Sequence, residues 1–486
     1  MIRNIITKIN MTKEKLEKLS ESKYDIIVIG AGSGGLNVAS FTAAAGLRTL
    51  LIDKSGKHIG GDCLNTGCVP SKALIHISKE LEIKNKNIKD VTDYIKSKQD
   101  YIRENENPEY LKKKNIIFKS GVVKFVNEKE ISLDGEILSA KNYVLATGSR
   151  ARKLSMPSDH SLPLYNNENI FEIKELPKRF IFMGGGPINC ELGQSFARLG
   201  CDVTIINSGE QILSKEIKEA RDILEETFQN QNIKIINNAD ILKIENKKLY
   251  YNNKENYILE DRENDEPQSV ECDAVFVGIG RVLNIDNLDL EKAGVEYDKN
   301  KTRLIVDKYL RTTNKNIHVV GDVAGKYMFT HAAEMHAKIV LNNIFSPIKK
   351  AFDNKYISWV TFTQPEIATF GLSETVAENK KLETIFKTLE HDDRAITDED
   401  RGFVKLYIDK AGLIHGGTIV SNVAGEISQE VIMAMSNKIP LSKIFEKVYA
   451  YPTAGRIIKS VAQSYMTRFF TDNKKKLLRI LYNIFS

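Results

Sequence analysis

Residues 60–72 read Gly-Gly-Asp-Cys-Leu-Asn-Thr-Gly-Cys-Val-Pro-Ser-Lys and place two cysteines, Cys63 and Cys68, five positions apart. Gly67 precedes the second cysteine and Pro70 follows it, and both residue types favour a turn. A tight turn can bring two sulfur atoms within bonding reach. The pair fits three kinds of site: a structural disulfide, half of a metal site, or a redox dithiol.

Features elsewhere in the chain bear on this choice. The other cysteines are isolated in the sequence and complete no zinc ligand set: Cys190, Cys201 and Cys272. Residues 1–22 read as a polar extension without the apolar core of a secretory signal, and reducing compartments rarely keep structural disulfides. These observations favour the redox dithiol, and the cytoplasm is the expected location.

A glycine-rich turn precedes the cysteine loop. The apolar run 24–29 ends in Gly30-x-Gly32-x-x-Gly35, a helical stretch follows, and Asp53 ends the next apolar run. In a strand–turn–helix of this spacing, the glycines admit a pyrophosphate to the helix N-terminus. An acid at the end of the second strand is placed to accept hydrogen bonds from a ribose hydroxyl. This segment therefore predicts a dinucleotide site.

A second unit of this kind begins at residue 179, with Gly184 and Gly186 in its turn. It departs from the fingerprint at two positions: the third glycine is replaced by Asn189, and the acid at the end of the second strand is replaced by Asn207. Without a carboxylate at position 207, the usual penalty against the 2′-phosphate of NADPH is missing, and no nearby Arg attracts that phosphate. The sequence predicts a second dinucleotide site and, for a nicotinamide cofactor, does not decide between NADH and NADPH.

The whole stretch 60–72 resembles the active-site loop of the FAD-dependent class I pyridine nucleotide–disulfide oxidoreductases. This family includes dihydrolipoyl dehydrogenase, glutathione reductase and mercuric reductase, and the resemblance runs from about residue 24 to about residue 462. It implies an α/β fold with two Rossmann-like domains, one for FAD and one for NAD(P)H. It also implies an α+β C-terminal dimerisation domain and a homodimer.

The resemblance divides the chain into segments. We expect a polar extension (1–22), the first part of the FAD-binding domain (23–172), the NAD(P)-binding domain (173–281), the second part of the FAD-binding domain (282–354), the interface domain (355–470) and a basic amphipathic C-terminal helix (471–486). Within the first of the FAD-binding parts, residues 81–111 read as charged helices that we expect to be solvated packing without chemistry.

The resemblance also implies roles for particular residues. Cys68 is the flavin-side thiolate of a redox disulfide with Cys63, the outer sulfur, and Lys72 and Glu191 form an ion pair beside flavin N5. Cys63, Lys72 and Glu191 also contact cofactor, as do residues of the matching motifs: Gly61, Asp62, Thr147, Gly148, Gly280, Asp322, Thr330 and His331 for FAD, and Gly184, Gly186 and Asn207 for NAD(P)H. Thr330 begins a helix whose positive N-terminus favours an anionic reduced flavin.

No metal site is predicted. His331 and His336 lie near each other in the sequence, but no cysteine or acidic cluster accompanies them. We therefore expect both histidines to be structural with respect to metals.

The chain departs from disulfide-reducing members of the family at residues 451–456. Their line reads His-Pro-Thr-x-x-Glu, whereas here Tyr451 replaces the His and Arg456 replaces the Glu. A phenol with a pKa near 10 carries protons poorly at pH 7 compared with an imidazole. Mercuric reductases also have Tyr at this position, but their C-terminal cysteine pair and N-terminal metal-binding domain are missing from this sequence.

These features predict an NAD(P)H oxidoreductase, similar to mercuric reductase, that passes electrons through FAD and the cysteine pair to an unassigned small-molecule acceptor. A dihydrolipoyl dehydrogenase or glutathione reductase type of enzyme is one alternative. A non-catalytic flavoprotein, acting as a redox sensor or membrane-associated module, is another.

Charge gives little further information, since a net charge of +6 on 486 residues is a mild bias and no nucleic-acid partner is expected. The tail is more informative. Residues 473–486 predict a helix with Leu477, Leu481 and Phe485 on one side and a cluster of basic residues near its start. Such a helix covers the dimer, or it rests on the inner face of a membrane as a peripheral contact.

Overall fold

The structure is a computed structural model that describes residues 23–80, 87–253, 266–300 and 302–485. The predicted N-terminal extension lies outside the described residues. The strands, in chain order, are β1 (Tyr24–Ile29), β2 (Thr49–Asp53), β3 (Ile117–Ser120), β4 (Val123–Phe125), β5 (Glu130–Leu133), β6 (Glu136–Leu145), β7 (Ser149–Ala151), β8 (Leu164–Tyr165), β9 (Arg179–Met183), β10 (Asp202–Ile206), β11 (Lys234–Ile236), β12 (Ala239–Glu245), β13 (Lys248–Asn253), β14 (Gln268–Glu271), β15 (Ala274–Val277), β16 (Arg281–Leu283), β17 (Ile317–Val319), β18 (Ser358–Thr361), β19 (Glu366–Gly371), β20 (Glu383–Thr388), β21 (Phe403–Ile408) and β22 (Ile414–Ser421).

The helices alternate with these strands. The α-helices are Ser33–Ala44, Gly61–Asn65, Cys68–Glu80, Ile88–Arg103, Pro108–Lys113, Pro187–Arg198, Lys218–Asn230, Thr330–Phe345, Glu374–Asn379, Asp393–Thr397, Ala424–Ser436, Leu441–Glu446, Ile457–Thr467 and Asp472–Phe485. Short 3₁₀ turns lie at Ile170–Glu172, Leu290–Ala293, Gly321–Ala324 and Ala454–Arg456.

The chain forms two compact units. Unit 1 comprises the described parts of 1–73, 92–152 and 280–352, and unit 2 comprises those of 74–91, 153–279 and 353–486. The domain boundaries given above stay predictions.

Unit 1 is built on a seven-stranded sheet in the order β3-β2-β1-β6-β5-β4, with β17 pairing to β6. The central strands β1, β2, β6 and β17 run parallel, whereas β4, β5 and β6 pair antiparallel. The apolar run of β1 is almost fully buried because both faces of the central sheet are covered, which is typical of a parallel sheet.

Glycines allow the helix Ser33–Ala44 to pack directly on this sheet. A Cβ atom added at Gly35 would lie 1.9 Å from the carbonyl oxygen of Gly30. Gly30 itself has φ +108°, and a Cβ atom there would lie 2.3 Å from the carbonyl oxygen of Ala146 at the end of β6. The predicted glycine fingerprint is thus a steric requirement of the strand–turn–helix.

Unit 2 contains a parallel sheet and two antiparallel sheets. The parallel sheet has the order β11-β10-β9-β15-β8, and β12-β13-β14 form a small antiparallel sheet. The third sheet, β18-β19-β22-β21-β20, is antiparallel throughout. The helices Ala424–Ser436 and Ile457–Thr467 share one hydrophobic core with it. The predicted fold class, two Rossmann-like regions plus an α+β region, is confirmed.

We predict that Gly35→Ala lowers the thermal stability of unit 1 and the amount of FAD retained on purification. The added methyl group overlaps the Gly30 carbonyl, and overpacking of this kind costs about 1–3 kcal/mol. Gly193→Ala is the matched control in the helix Pro187–Arg198, because its Cβ atom would lie 3.5 Å from Ile205, an ordinary contact. Differential scanning calorimetry of both variants tests the prediction, and equal melting temperatures would contradict it.

Candidate active site

The cysteine loop folds as two short helical segments joined by a glycine turn. Cys63 lies in the helix Gly61–Asn65, and Cys68 is the first residue of the helix Cys68–Glu80. At Gly67 a Cβ atom would lie 2.8 Å from the Asp62 carbonyl oxygen, so a larger residue would open the turn. The turn therefore folds the second cysteine back toward the first.

The two cysteines are thiols that are not joined by a disulfide, and they are in hydrogen-bonding contact with each other. The hydrogen bond to Cys68, followed by burial, raises the pKa of the Cys63 thiol. The hydroxyls of Ser33 and Thr330 act in the opposite direction, and Thr330 Oγ1 lies 3.5 Å from Cys68 Sγ. Negative charge in the reduced pair is favoured on Cys68, because this residue begins a helix.

The helix Ile88–Arg103, expected to be solvated packing, holds the cysteine loop in place. Gln99 is buried, and its Nε2 donates to the carbonyl oxygens of Leu64 and Asn65 at 2.9 and 2.8 Å. Arg103 Nη2 donates to Asn65 Oδ1 at 3.0 Å. The helix therefore does more than the expected solvated packing, because it positions the cysteine loop, and the expectation that residues 81–111 carry no chemistry stays a prediction. Residues 81–86 lie outside the described residues.

The first glycine turn fits a dinucleotide. The helix Ser33–Ala44 has no side-chain cap and no acid in its first turn, so its N-terminal amides are available to a pyrophosphate. Asp53 Oδ2 accepts from the backbone amide of Ala31 at 3.1 Å, which places the carboxylate beside the turn. A Cβ atom on Gly61 would lie 2.7 Å from the Cα atom of Gly32. The turn and the cysteine loop thus form a cradle that side chains would fill.

A polar network joins the other predicted FAD-contacting segments of unit 1. Arg281 Nε donates to Ser149 Oγ at 2.6 Å, and this hydroxyl donates to Asp322 Oδ2 at 2.5 Å. The guanidinium also forms an ion pair with Asp62. Burial raises the pKa of Asp322. The network brings together Asp62 of the cysteine loop, Ser149 of β7, Arg281 of β16 and Asp322 after β17, which lie far apart in the sequence.

The remaining predicted FAD contacts lie at the edge of this network. Thr147 Oγ1 donates to the carbonyl oxygen of Asn284 at 2.7 Å, and Asn284 Nδ2 donates back to the Thr147 carbonyl at 2.9 Å. Gly148 and Gly280 have φ +68° and +108°, conformations that favour glycine. His331 stacks on Phe329 with ring centres 5.3 Å apart.

His336 is buried within unit 1. Its ring lies edge-on to Phe352 with centroids 4.9 Å apart, and burial lowers its pKa to about 4. Among the described residues no group of three or more His, Cys, Asp or Glu side chains is arranged to hold a metal ion.

The second glycine turn, in unit 2, fits a dinucleotide as well. Gly184 has φ +106°, and the helix Pro187–Arg198 begins without a side-chain cap or an acid in its first turn. Asn189 fills the position of the third glycine: it is fully buried, and its Nδ2 donates to the Gly278 carbonyl at 2.9 Å. Gly186 has open space in front of it.

The side-chain amide of Asn207 forms hydrogen bonds within unit 2. Its Nδ2 donates to the Gly209 carbonyl at 3.0 Å and to Asn237 Oδ1 at 3.1 Å. The side chain therefore shapes the end of β10 and carries no negative charge toward a cofactor ribose, as its residue type predicts.

The predicted partners Lys72 and Glu191 belong to different units, and their ion pair stays a prediction. Within unit 2, Glu191 is buried and its Oε1 accepts from the backbone amide of Phe362 at 2.9 Å. The neighbouring Gln194 Oε1 accepts from the amide of Gln364 at 2.8 Å. The helix Pro187–Arg198 is thereby fixed to the segment that precedes β19.

Tyr451 is 65% exposed, and its hydroxyl donates to Asp393 Oδ2 at 3.0 Å. The hydrogen bond to this carboxylate raises the pKa of Tyr451. The guanidinium of Arg456 lies 5.1 Å from the centre of the phenol ring. The two residues that replace the His and the Glu are thus neighbours, and the phenol holds its proton more firmly than a free tyrosine does.

Comparison with known proteins decides the family. The family model described as pyridine nucleotide-disulphide oxidoreductase matches residues 24–337, and the model of its dimerisation domain matches residues 357–462. The chain belongs to this family. It is therefore an FAD-dependent oxidoreductase that uses NAD(P)H, and its dimerisation domain supports a homodimer. The predicted family, enzyme class, cofactors and homodimer are confirmed.

Individual relatives of this oxidoreductase have different names. Dihydrolipoyl dehydrogenase of Mycoplasma genitalium is 28% identical over 474 residues, covering 92% of this chain and 100% of that protein. Mercuric reductase of Lysinibacillus sphaericus is 29% identical over 474 residues, covering 93% and 84%. The solved HOCl-induced flavoprotein disulfide reductase RclA from Escherichia coli superimposes with a TM-score of 0.81 at 25% identity, covering 90% and 99%.

Several residues of this oxidoreductase that contact the cysteine loop or the polar network were not predicted from the sequence. Ser33, Gln99 and Ser149 carry no charge and stand in no motif that names them. Arg281 had a signal, since it directly follows Gly280, a predicted FAD contact. A charged residue directly after such a glycine is a candidate partner for a carboxylate of the same site.

We predict opposite spectra for the two single-cysteine variants of the FAD-loaded protein. Cys63→Ser leaves Cys68 as the thiolate beside the flavin, so a long-wavelength absorption band is expected at neutral pH before any reductant is added. Cys68→Ser is expected to lack this band even after two-electron reduction. Cys190→Ala, which removes a buried thiol outside the loop, should keep the wild-type spectra. Identical spectra for the two loop variants would show that the assigned roles are wrong.

Proposed function

We propose that this oxidoreductase delivers its electrons to a small acceptor other than a lipoamide or glutathione-type disulfide, and that a soft metal ion such as Hg(II) is the best candidate. The observation that carries this proposal is Tyr451, whose proton is held by Asp393. FAD, when bound, would supply the hydride-accepting chemistry through which two electrons of NAD(P)H reach the Cys63–Cys68 disulfide. The residues of the chain then determine which acceptor can take these electrons.

The reduced pair consists of two sulfurs with different tasks. Cys68 carries the negative charge, and Cys63, whose pKa is raised by its hydrogen bond to Cys68 and by burial, keeps its proton until it meets the acceptor. Lys72 and Glu191 are proposed to hold charge beside the flavin. Gln99 and Arg103 keep the loop in a geometry in which the disulfide can close again.

A disulfide acceptor requires a proton donor. Attack of a cysteine thiolate on a substrate disulfide breaks the S–S bond and releases a second thiolate, which must be protonated to leave. In disulfide-reducing members of the family a His performs this proton transfer. Tyr451 is a poor substitute, because the Asp393 carboxylate raises its pKa.

A thiophilic metal ion removes this requirement. Both protein thiols lose their protons on binding Hg(II). The two thiolates then give two electrons to the ion, which forms Hg(0) and the protein disulfide, so no leaving group needs a proton. Soft thiolates are the ligands such ions prefer. The relative named mercuric reductase from Lysinibacillus sphaericus, which is 29% identical to this chain and covers 93% of it, supports this acceptor class. The cytoplasmic location expected from the sequence stays a prediction.

We predict that the wild-type protein reduces lipoamide and oxidised glutathione slowly and that Tyr451→His combined with Arg456→Glu accelerates both reactions. Restored general acid–base catalysis typically contributes about 10²–10⁴-fold. Tyr451→Phe is the matched control, since it removes the phenol without supplying a proton carrier, and it should stay slow. Steady-state NADH and NADPH oxidation with each acceptor, including Hg(II), provides the measurement. Wild-type turnover of lipoamide that equals or exceeds that of Hg(II) would overturn the proposal.

The C-terminal helix Asp472–Phe485 carries a second proposal, peripheral contact with an anionic membrane. None of its residues is buried; Leu477 is 54% and Phe485 is 84% exposed. Three lysines and one arginine accompany this apolar face, and each basic residue contributes about 1 kcal/mol near an anionic lipid surface. The competing occupant is the partner subunit. Among the described residues no helix is long and apolar enough to span a bilayer.

We predict that the full chain co-sediments with anionic vesicles and that a chain ending at Asp472 does not. Replacing Lys474, Lys475 and Lys476 with Gln should weaken sedimentation without changing the apolar face, and neutral vesicles should bind little of any form. Equal sedimentation of the full and shortened chains would assign the helix to the dimer. Analytical ultracentrifugation of the shortened chain then measures how much the helix contributes to dimerisation.

A further inference from the structure

Unit 1 contains a basic cavity that shares no residue with the predicted active site. Its volume is about 170 Å³. The lining residues come from β6, the segment before β17, β17 itself, the last turn of the helix Thr330–Phe345 and the segment after it: Asn142, Tyr309, Arg311, Lys315, His318, Asn343, Ile344 and Lys349.

The charges around this cavity do not balance. Arg311 Nε and Nη2 both donate to Asp307 Oδ2, at 3.0 and 2.9 Å, and Lys315 Nζ lies 3.6 Å from the same oxygen. Asp307 therefore offsets one of the cations, and Arg311 Nη1 lies outside the pair. Lys349 Nζ donates to the carbonyl oxygen of Ser346 at 3.0 Å, beyond the end of the helix Thr330–Phe345. Three cations against one carboxylate leave about two positive charges at a single cavity.

His318 adds a buried polar atom without a partner. Its side chain lies on β17, opposite Arg311 in an isolated bridge, and the residue is 4% exposed. Its Nδ1 has no hydrogen-bond partner. Burial, followed by the positive charge of Arg311, lowers the pKa of His318 to about 4. Lys349 lowers this pKa as well, whereas the Asp307 carboxylate raises it. The imidazole is uncharged at neutral pH, and an unpaired buried nitrogen is unfavourable unless a ligand or water supplies the partner.

We propose that this cavity is a binding site for a small oxyanion, with a phosphate group as the best fit. Arginine and lysine together are the side chains that recognise phosphate oxygens, and a neutral imidazole can donate one further hydrogen bond. A cavity needs only about 10–15 Å³ of volume measured in this way to hold a water molecule, so this cavity has room for a tetrahedral anion. Free phosphate and a small phosphate ester share this chemistry.

The cavity is lined by β17 and by the last turn of the helix Thr330–Phe345, and both elements also lead to the cysteine loop and its polar network. β17 continues into Asp322 of the polar network, and the helix that ends beside the cavity begins at Thr330, which contacts Cys68. A bound anion neutralises repulsion among the cations at these ends. Binding is therefore expected to raise the melting temperature of the holoenzyme.

The test is calorimetric titration of the FAD-loaded enzyme with inorganic phosphate. Ionic strength is held constant with chloride, and saturating oxidised nicotinamide nucleotide blocks the second dinucleotide site. We expect one phosphate per chain. Lys349→Gln and Lys315→Gln should each weaken binding at least five-fold, whereas Lys350→Gln, a neighbouring lysine that does not line the cavity, should leave it unchanged.

Glycerol 3-phosphate and sulfate distinguish the sources of the anion. Binding of the ester as tight as that of phosphate, with the same dependence on Lys349, indicates a phosphate ester as the natural ligand. Weaker ester binding indicates the free anion. No binding of any of the three, or equal dissociation constants for Lys349→Gln and Lys350→Gln, would overturn the proposal and leave the cations as partners of Asp307 and of the helix end.

Discussion

The close backbone approach of Gly32 and Gly61 is the constraint on which the redox region depends. The glycine turn and the cysteine loop are joined by a bridge between Gly32 and Gly60, and a Cβ atom on Gly61 would lie 2.7 Å from the Cα atom of Gly32. A side chain on Gly61 would therefore push the two loops apart, whereas a Cβ atom on Gly32 would lie 3.8 Å from the Gly61 Cα atom, an ordinary contact. The approach also explains why Ser33, at the start of the helix, reaches the Cys63 thiol.

The loop is then fixed from two further directions. Gln99 satisfies the carbonyl oxygens of Leu64 and Asn65 between the cysteines, and Arg281 pairs with Asp62 just before the first cysteine. Arg281 also supports Asp322 through Ser149. Loss of this guanidinium would leave the partly buried Asp322 carboxylate, whose side chain is 23% exposed, without its positive partner. Arg281 therefore couples the cysteine loop to Asp322, the predicted FAD contact that follows β17.

Local sequence patterns predicted the elements, and only the folded chain revealed their contacts. β1, the helix Ser33–Ala44 and β17 follow from apolar runs and glycine spacing, which act over a few residues. The contacts of Thr330 with Cys68 and of Asn189 with Gly278 join residues 262 and 89 positions apart. Periodicity carries no information about such pairs. The helix Ile88–Arg103 shows the same limit, because its charged composition concealed the buried Gln99 that holds the loop.

At position 451 the direction of one hydrogen bond matters more than the identity of the residue. The Tyr451 hydroxyl donates to Asp393, so its proton faces a carboxylate and any new base must compete with that carboxylate for it. The guanidinium of Arg456 lies over the ring and lowers the pKa of the phenol. The hydrogen bond to Asp393 and the negative charge of that carboxylate raise the pKa by more, so the net shift is upward. A histidine in this place could alternate between donor and acceptor near neutral pH, whereas this phenol remains a donor. Under the proposed function, the substitution takes proton exchange away from this position. The proposed acceptor fits this change, because it receives electrons from sulfur without needing a proton in the same step.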